Sequence, residues 1–143
     1  MSDIRIIEGG IFRDHRGDLV HVNDFHLEGA HRYYIIRHDN TEVIRGWHGH
    51  QHEAKWFQCL RGGFRLAFVR PDDWENPSPD LTPEVFTLTA ERSELLALPA
   101  GYANCIRATE PDSLLLVFSG KVLEEAVHDS WRWEPSMWGG DTL

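Results

Sequence analysis

Short runs in which apolar and polar residues alternate recur along this chain, and their period is two residues rather than 3.6. The pattern predicts strands at residues 4–7, 18–23, 32–37, 55–60, 64–69, 84–88, 94–98 and 113–119. Turn chemistry separates them: Gly9-Gly10, His15-Arg16-Gly17, Gly62-Gly63, Pro99-Ala100-Gly101 and Gly120, with a polar, proline-containing loop over 71–83. No long amphipathic helix intervenes. Eight or more short strands at this spacing predict an all-β chain folded as a double-sheet jelly roll or barrel, whose interior is a natural ligand pocket.

One stretch departs from simple alternation. Arg45-Gly46-Trp47-His48-Gly49-His50-Gln51-His52-Glu53-Ala54-Lys55 places three alternating histidines, an arginine and a lysine within eleven residues. In an extended strand His48, His50 and His52 project from one side. Imidazole is largely neutral near pH 7, so such a face can ligate a metal or act as a general base. Arg45 and Lys55 flank it as cations suited to an anionic ligand.

The composition narrows the partners. The chain has 143 residues, 41% hydrophobic and 26% charged, enough for one domain over residues 1–143 with a single core. A formal charge of -9 argues against a nucleic-acid binder, so an anionic ligand must be met by a local cationic cluster. Cys59 and Cys105 lie in apolar runs without CxxC spacing and are expected to be buried thiols of a cytoplasmic protein. The first residues lack the pattern of a signal peptide, and no run approaches the roughly 18 apolar residues of a membrane span. No membrane association is expected.

The order of motifs then carries a resemblance. Phe12-Arg13-Asp14-His15-Arg16-Gly17-Asp18-Leu19 resembles the F-x-D-x-R-G-x-F/L opening of dTDP-4-dehydrorhamnose 3,5-epimerases, and the lysine-bearing strand and glycine turn from Ala54 to Gly62 resemble theirs. Leu98-Pro99-Ala100-Gly101-Tyr102-Ala103-Asn104 is similar to their I-P-x-G-F-A-H segment, with Asn104 in place of the histidine. Arg32-Tyr33-Tyr34-Ile35 and Arg45-Gly46-Trp47-His48-Gly49-His50 resemble the V-Y-Y-I and R-R-G-x-H-A-H pattern of dTDP-sugar 3,4-ketoisomerases. The similarity spans residues 12–119. It implies a double-stranded β-helix jelly roll, an RmlC-like cupin, acting on a nucleotide-diphosphate sugar without a required cofactor.

The resemblance also implies roles. His48 or His50 would remove a proton beside the ketone of a dTDP-4-keto-6-deoxyhexose, and Lys55, with Arg45 and the Tyr33-Tyr34 pair, would support the enediolate. Because neighbours on a strand face opposite ways, at most one of the two tyrosines is expected to reach the pocket. Arg16 would hold the diphosphate, and Asn104 would contact the substrate. The tyrosine expected near the end of the Leu114 to Phe118 run as an epimerase acid is absent, which favours ketoisomerase over 3,5-epimerase. Two other readings stay open. His48, His50, His52 and Glu53 can be read as a metal shell of an oxygenase or lyase, and a binding protein could keep the pocket without catalysis. The family resemblance further implies a homodimer in which an N-terminal strand, for which residues 3–7 could serve, is lent to the partner, and Trp131, Trp133 and Trp138 are expected to cover a barrel end or an interface.

Overall fold

The computed structural model describes residues 3–143, and its strands follow from the alternation just read. In chain order they are β1 (Arg5–Glu8), β2 (Gly10–Asp14), β3 (Gly17–His21), β4 (Arg32–His38), β5 (Ile44–His50), β6 (Lys55–Arg61), β7 (Gly63–Val69), β8 (Glu84–Thr89), β9 (Glu94–Leu98), β10 (Tyr102–Ala108) and β11 (Ser113–Ser119). A one-turn helix, α1 (Leu123–Ala126), and a two-residue strand, β12 (Trp131–Arg132), follow, and a 3-10 segment closes the chain.

Two five-stranded antiparallel sheets face each other, one ordered β1-β9-β6-β11-β4 and the other β12-β5-β10-β7-β8, while β2 and β3 form a separate hairpin. This is the all-β jelly roll. All eight predicted runs are strands, with bounds shifted by a residue or two at several ends. Strands β2 and β12 were not among the predicted runs, and neither was β10. Its residues are buried at six of seven positions, so it shows no alternation between core and solvent from which a strand could be read.

The core lies between the sheets, where inward positions alternate as the pleat requires: Phe64, Leu66 and Phe68 from β7, Phe57 from β6, Leu115 and Val117 from β11. The second sheet is covered on its outer face as well. There Trp47, Ala67, Val69, Ala103 and Cys105 pack under Trp138 and Leu143 from the chain's end. Trp74, Trp131 and Trp133 extend this cover through tilted and edge-on contacts with centroids 5.6 and 5.7 Å apart. The tryptophans thus brace the back of β5, the strand that carries the histidines. Cys59 and Cys105 are both free thiols and both buried, and burial pushes each up to about 11.

Candidate active site

A cavity of about 580 Å³ opens between the two sheets, and its walls come from β4, β5, β6, β10 and the segment from α1 to β12. Alternation explains most of the lining. From β4, Arg32, Tyr34 and Ile36 face inward; from β6, Lys55 and Phe57 do so; from β10, Asn104 and Ile106. Directly opposed residues on antiparallel neighbours share a face, so the pairing of Arg132 with His48 and of His48 with Asn104 forms one row across three strands. Arginine, imidazole and amide therefore stand side by side on one wall of the cavity.

Arg45 reaches the cavity because β5 is irregular. The register slips between Asn104 and Cys105, and Gly46 takes φ of 153°. A Cβ on Gly46 would fall 2.7 Å from Cys105 Cα and 2.8 Å from the Asn104 carbonyl oxygen, so only glycine allows this approach.

The two histidines of β5 have centroids 4.3 Å apart. His50 is buried, and its Nδ1 lies 2.5 Å from the carbonyl oxygen of Asp129. A carbonyl only accepts, so Nδ1 carries the hydrogen. The carboxylate of the same Asp129 accepts from the backbone N–H groups of Gln51 and His52, which ties the end of β5 to the segment after α1. His48 is half-buried, and its Nε2 lies 2.8 Å from Ser130 Oγ; its Nδ1 has no protein partner among the described residues. Burial, the neighbouring His50 and the cations Lys55, Arg132 and Arg45 push His48 down to about 3. Burial and Lys55 lower His50 too, against the opposing pull of Glu53 and the Asp129 carbonyl. Both rings are thus neutral near pH 7, as general bases must be.

Arg32, Arg45, Lys55 and Arg132 give the cavity four cations although the chain as a whole is acidic. The Arg32 guanidinium sits 5.1 Å over the Tyr34 ring. Lys55 is buried and its Nζ lies 3.3 Å from Glu53 Oε2.

Not every residue expected at the site is there. His52 was expected to share a face with His48 and His50, but β5 ends at His50, and His52 lies in the following bend, exposed, with its backbone bound to Asp129. The set His48, His50, His52 and Glu53 is therefore not assembled around one point. Among the described residues, no group of three or more His, Cys, Asp or Glu side chains stands placed to hold a metal ion. Tyr33 faces outward, 66% exposed, and packs against Phe118, while Tyr34 takes the inward position. Arg16 lies outside the lining residues, at the β2–β3 turn, where its guanidinium is held by Asp14 at 2.6 Å. Arg32, Arg132 and Ser130 were not expected at the site. Arg32 was legible as an inward position of β4, two residues before Tyr34; Arg132 and Ser130 carried no strand-length signal of their own.

No family model matches the chain, and no curated protein matches it by sequence. Solved structures do resemble it. A 3,4-ketoisomerase from Thermoanaerobacterium thermosaccharolyticum in complex with TDP-4-keto-6-deoxyglucose superposes with a TM-score of 0.69 at 18% identity, covering 93% of this chain and 89% of that one. A 3,4-ketoisomerase from Helicobacter canadensis gives 0.71 at 16% identity, with both chains covered over 100%. A dTDP-4-dehydrorhamnose 3,5-epimerase from Bacillus anthracis, bound to TDP and PPi, gives 0.76 at 15% identity, covering 96% of this chain and 83% of that one. The chain therefore has the same jelly-roll fold as these solved ketoisomerase and epimerase structures.

Proposed function

We propose that this protein is a nucleotide-sugar isomerase, acting on a dTDP-4-keto-6-deoxyhexose or a close relative by moving protons next to the ketone. The observation that carries this reading is the neutral His48–His50 pair, ring centroids 4.3 Å apart, set in a cavity ringed by four cations. The pair suits proton abstraction, and the cations suit a diphosphate and an enediolate.

The steps follow from the residues. Arg45 and Arg132 flank His48 and meet the diphosphate, for which guanidinium geometry is suited. The ketone at C4 acidifies the proton at C3. His48, bonded at Nε2 to Ser130, takes that proton at Nδ1. Negative charge spreads over O3 and O4 of the enediolate, where Lys55 and the Tyr34 hydroxyl stabilise it. A proton then returns to C4 from His48 itself, or from His50 once that ring has been protonated, while the hydroxyl proton of O3 passes to O4, so that O3 becomes the ketone and O4 a hydroxyl. Val117 and Phe118 occupy the strand positions where a phenolic acid was sought, and this favours the 3,4-ketoisomerase over the 3,5-epimerase.

A second copy of the chain completes the account. Phe12, Leu19 and Val20 of the β2–β3 hairpin are exposed, as are Tyr33 and Ile35 on β4, an edge strand of its sheet. The strand expected to be lent, at residues 3–7, pairs instead with β9 of its own sheet as β1, whereas exposed apolar residues on a hairpin and on an unpaired edge fit a dimer in which the hairpin lies against the partner. Arg16 then reaches the partner's diphosphate. The two buried thiols suit a cytoplasmic setting, and no helix is long and apolar enough to cross a membrane among the described residues.

Incubation with dTDP-4-keto-6-deoxyglucose, followed by NMR of the sugar, tests the reading. The expected product carries its ketone at C3. Inversion at C3 and C5 with the ketone still at C4 would make it an epimerase, and tight binding without product would make it a sugar-nucleotide binding protein.

A further inference from the structure

Glu53 does not line the cavity, yet it touches three groups that do. It lies in the bend between β5 and β6, and its side chain is closed off from solvent. Oε1 accepts a hydrogen bond from Ser119 Oγ at 2.8 Å and lies 3.5 Å from Arg32 Nη2. Oε2 lies 3.3 Å from Lys55 Nζ and 3.4 Å from His50 Nε2, with no hydrogen bond of good geometry among the described residues. A carboxylate buried in this way is costly unless cations surround it, and here those cations come from two strands, β4 and β6.

The protonation of His50 adds a second constraint. Its Nδ1 hydrogen is committed to the Asp129 carbonyl, so the lone pair of the neutral ring sits on Nε2, facing Glu53 Oε2. Two acceptors cannot bond each other. While the ring is neutral the proton that relieves them is one of the Lys55 ammonium, 3.3 Å from Oε2, and a second proton taken up by the ring would do the same. The groups around His50 are His48 on its own strand, Lys55 on β6, Glu53 in the bend and Asp129 after α1.

We propose that Glu53 is the positioning residue of this cavity: one buried carboxylate aims Lys55 and Arg32 at the ligand and keeps His50 able to take up a proton. Its negative charge opposes the effect of burial on His50, as the geometry requires. The inference deepens the isomerase reading and rests on it for the catalytic consequence, though not for the effect on His50. Glu53→Gln keeps the shape and the contact with Ser119 while removing the charge.

The test has two readouts. The His50 ring is titrated by NMR in the resting protein, and kcat and KM are measured on dTDP-4-keto-6-deoxyglucose. In Glu53→Gln the His50 midpoint is expected to move down by about half a unit or more, and kcat to fall about 100-fold, more than KM rises. Glu53→Asp, which restores the charge, recovers part of both. An unshifted midpoint in a folded Gln variant overturns the proposal, whether or not the wild type turns the sugar over. Absence of turnover in the wild type overturns the isomerase reading instead. If Glu53→Gln does not fold, Ser119→Ala, which frees Oε1 but keeps the charge, is expected to lower kcat, and an unchanged kcat overturns the positioning role.

Discussion

His48 Nε2 lies 2.8 Å from the hydroxyl oxygen of Ser130. In the proposed mechanism the hydroxyl accepts from Nε2–H, which leaves the Nδ1 lone pair to meet substrate. Removing it in Ser130→Ala is expected to lower kcat about 3- to 10-fold, the worth of one ordinary hydrogen bond, with KM little changed. Steady-state kinetics on the sugar nucleotide measure the split; a rise in KM alone would assign Ser130 to binding.

The same histidine predicts an unusual pH profile. Held down at about 3 by burial and neighbouring cations, His48 stays neutral well below the ordinary imidazole range. The ratio kcat/KM is therefore expected to stay flat from pH 8 to about 5, whereas an unperturbed imidazole base would lose half its activity near 6.5. A profile falling through the ordinary imidazole range would show that His48 is not the base.

Fold stability should follow the opposite course. His38, His48 and His50 all lie below their ordinary values in the folded protein, chiefly through burial. In the unfolded chain they take up protons near pH 6.5, so the stability present above that pH is lost as pH falls toward the lower folded values. His38 is buried edge-on against Phe64, with neither ring nitrogen hydrogen-bonded among the described residues. Melting temperature measured from pH 7.5 down to 4.5 should decline, and His38→Leu should decline less steeply while remaining as stable as wild type at pH 7.5.

Much of this site was legible in the sequence, and the gaps have physical causes. Period-two alternation gave most of the strands, though not β2, β10 or β12, and it also placed His48 and His50 on one face. It misplaced His52, because nothing in Gln51-His52-Glu53 announces that the Asp129 carboxylate will bend the chain there. It predicted one inward tyrosine of two, and that is Tyr34. Arg132 and Ser130 come from a two-residue strand and its approach, too short for any periodicity. The sequence allowed Glu53 to pair with nearby Lys55, as it does, but not its contacts with Arg32 and Ser119, which are 21 and 66 residues away and meet it only through the fold.

The tryptophan cover makes its own prediction. A Cβ on Gly49 would lie 2.8 Å from Trp74 Cζ3 and 2.9 Å from Trp133 Cζ3. Gly49→Ala must push these rings from the back of β5, at an expected cost of about 1–3 kcal/mol by urea unfolding. Because Gly49 sits between His48 and His50, kcat should fall as well; unchanged stability would mean that the cover adjusts freely.

Arg16 separates the dimer from the monomer. Light scattering on a sizing column should give twice the chain mass of 16.5 kDa, and Arg16→Ala should raise KM while leaving that mass and kcat nearly unchanged. A monomer with unaltered KM in the variant would place Arg16 outside the site altogether.

The most direct measurement follows deuterium into the sugar. Wild-type protein and His48→Asn are each incubated with dTDP-4-keto-6-deoxyglucose in heavy water, and NMR reads the label at every ring carbon. The account predicts that wild type gives a 3-keto product labelled at C4, with any exchange in remaining substrate confined to C3, and that His48→Asn binds the sugar but exchanges nothing. Exchange that persists in His48→Asn, or a wild type that binds the sugar and leaves every ring proton in place, would contradict it.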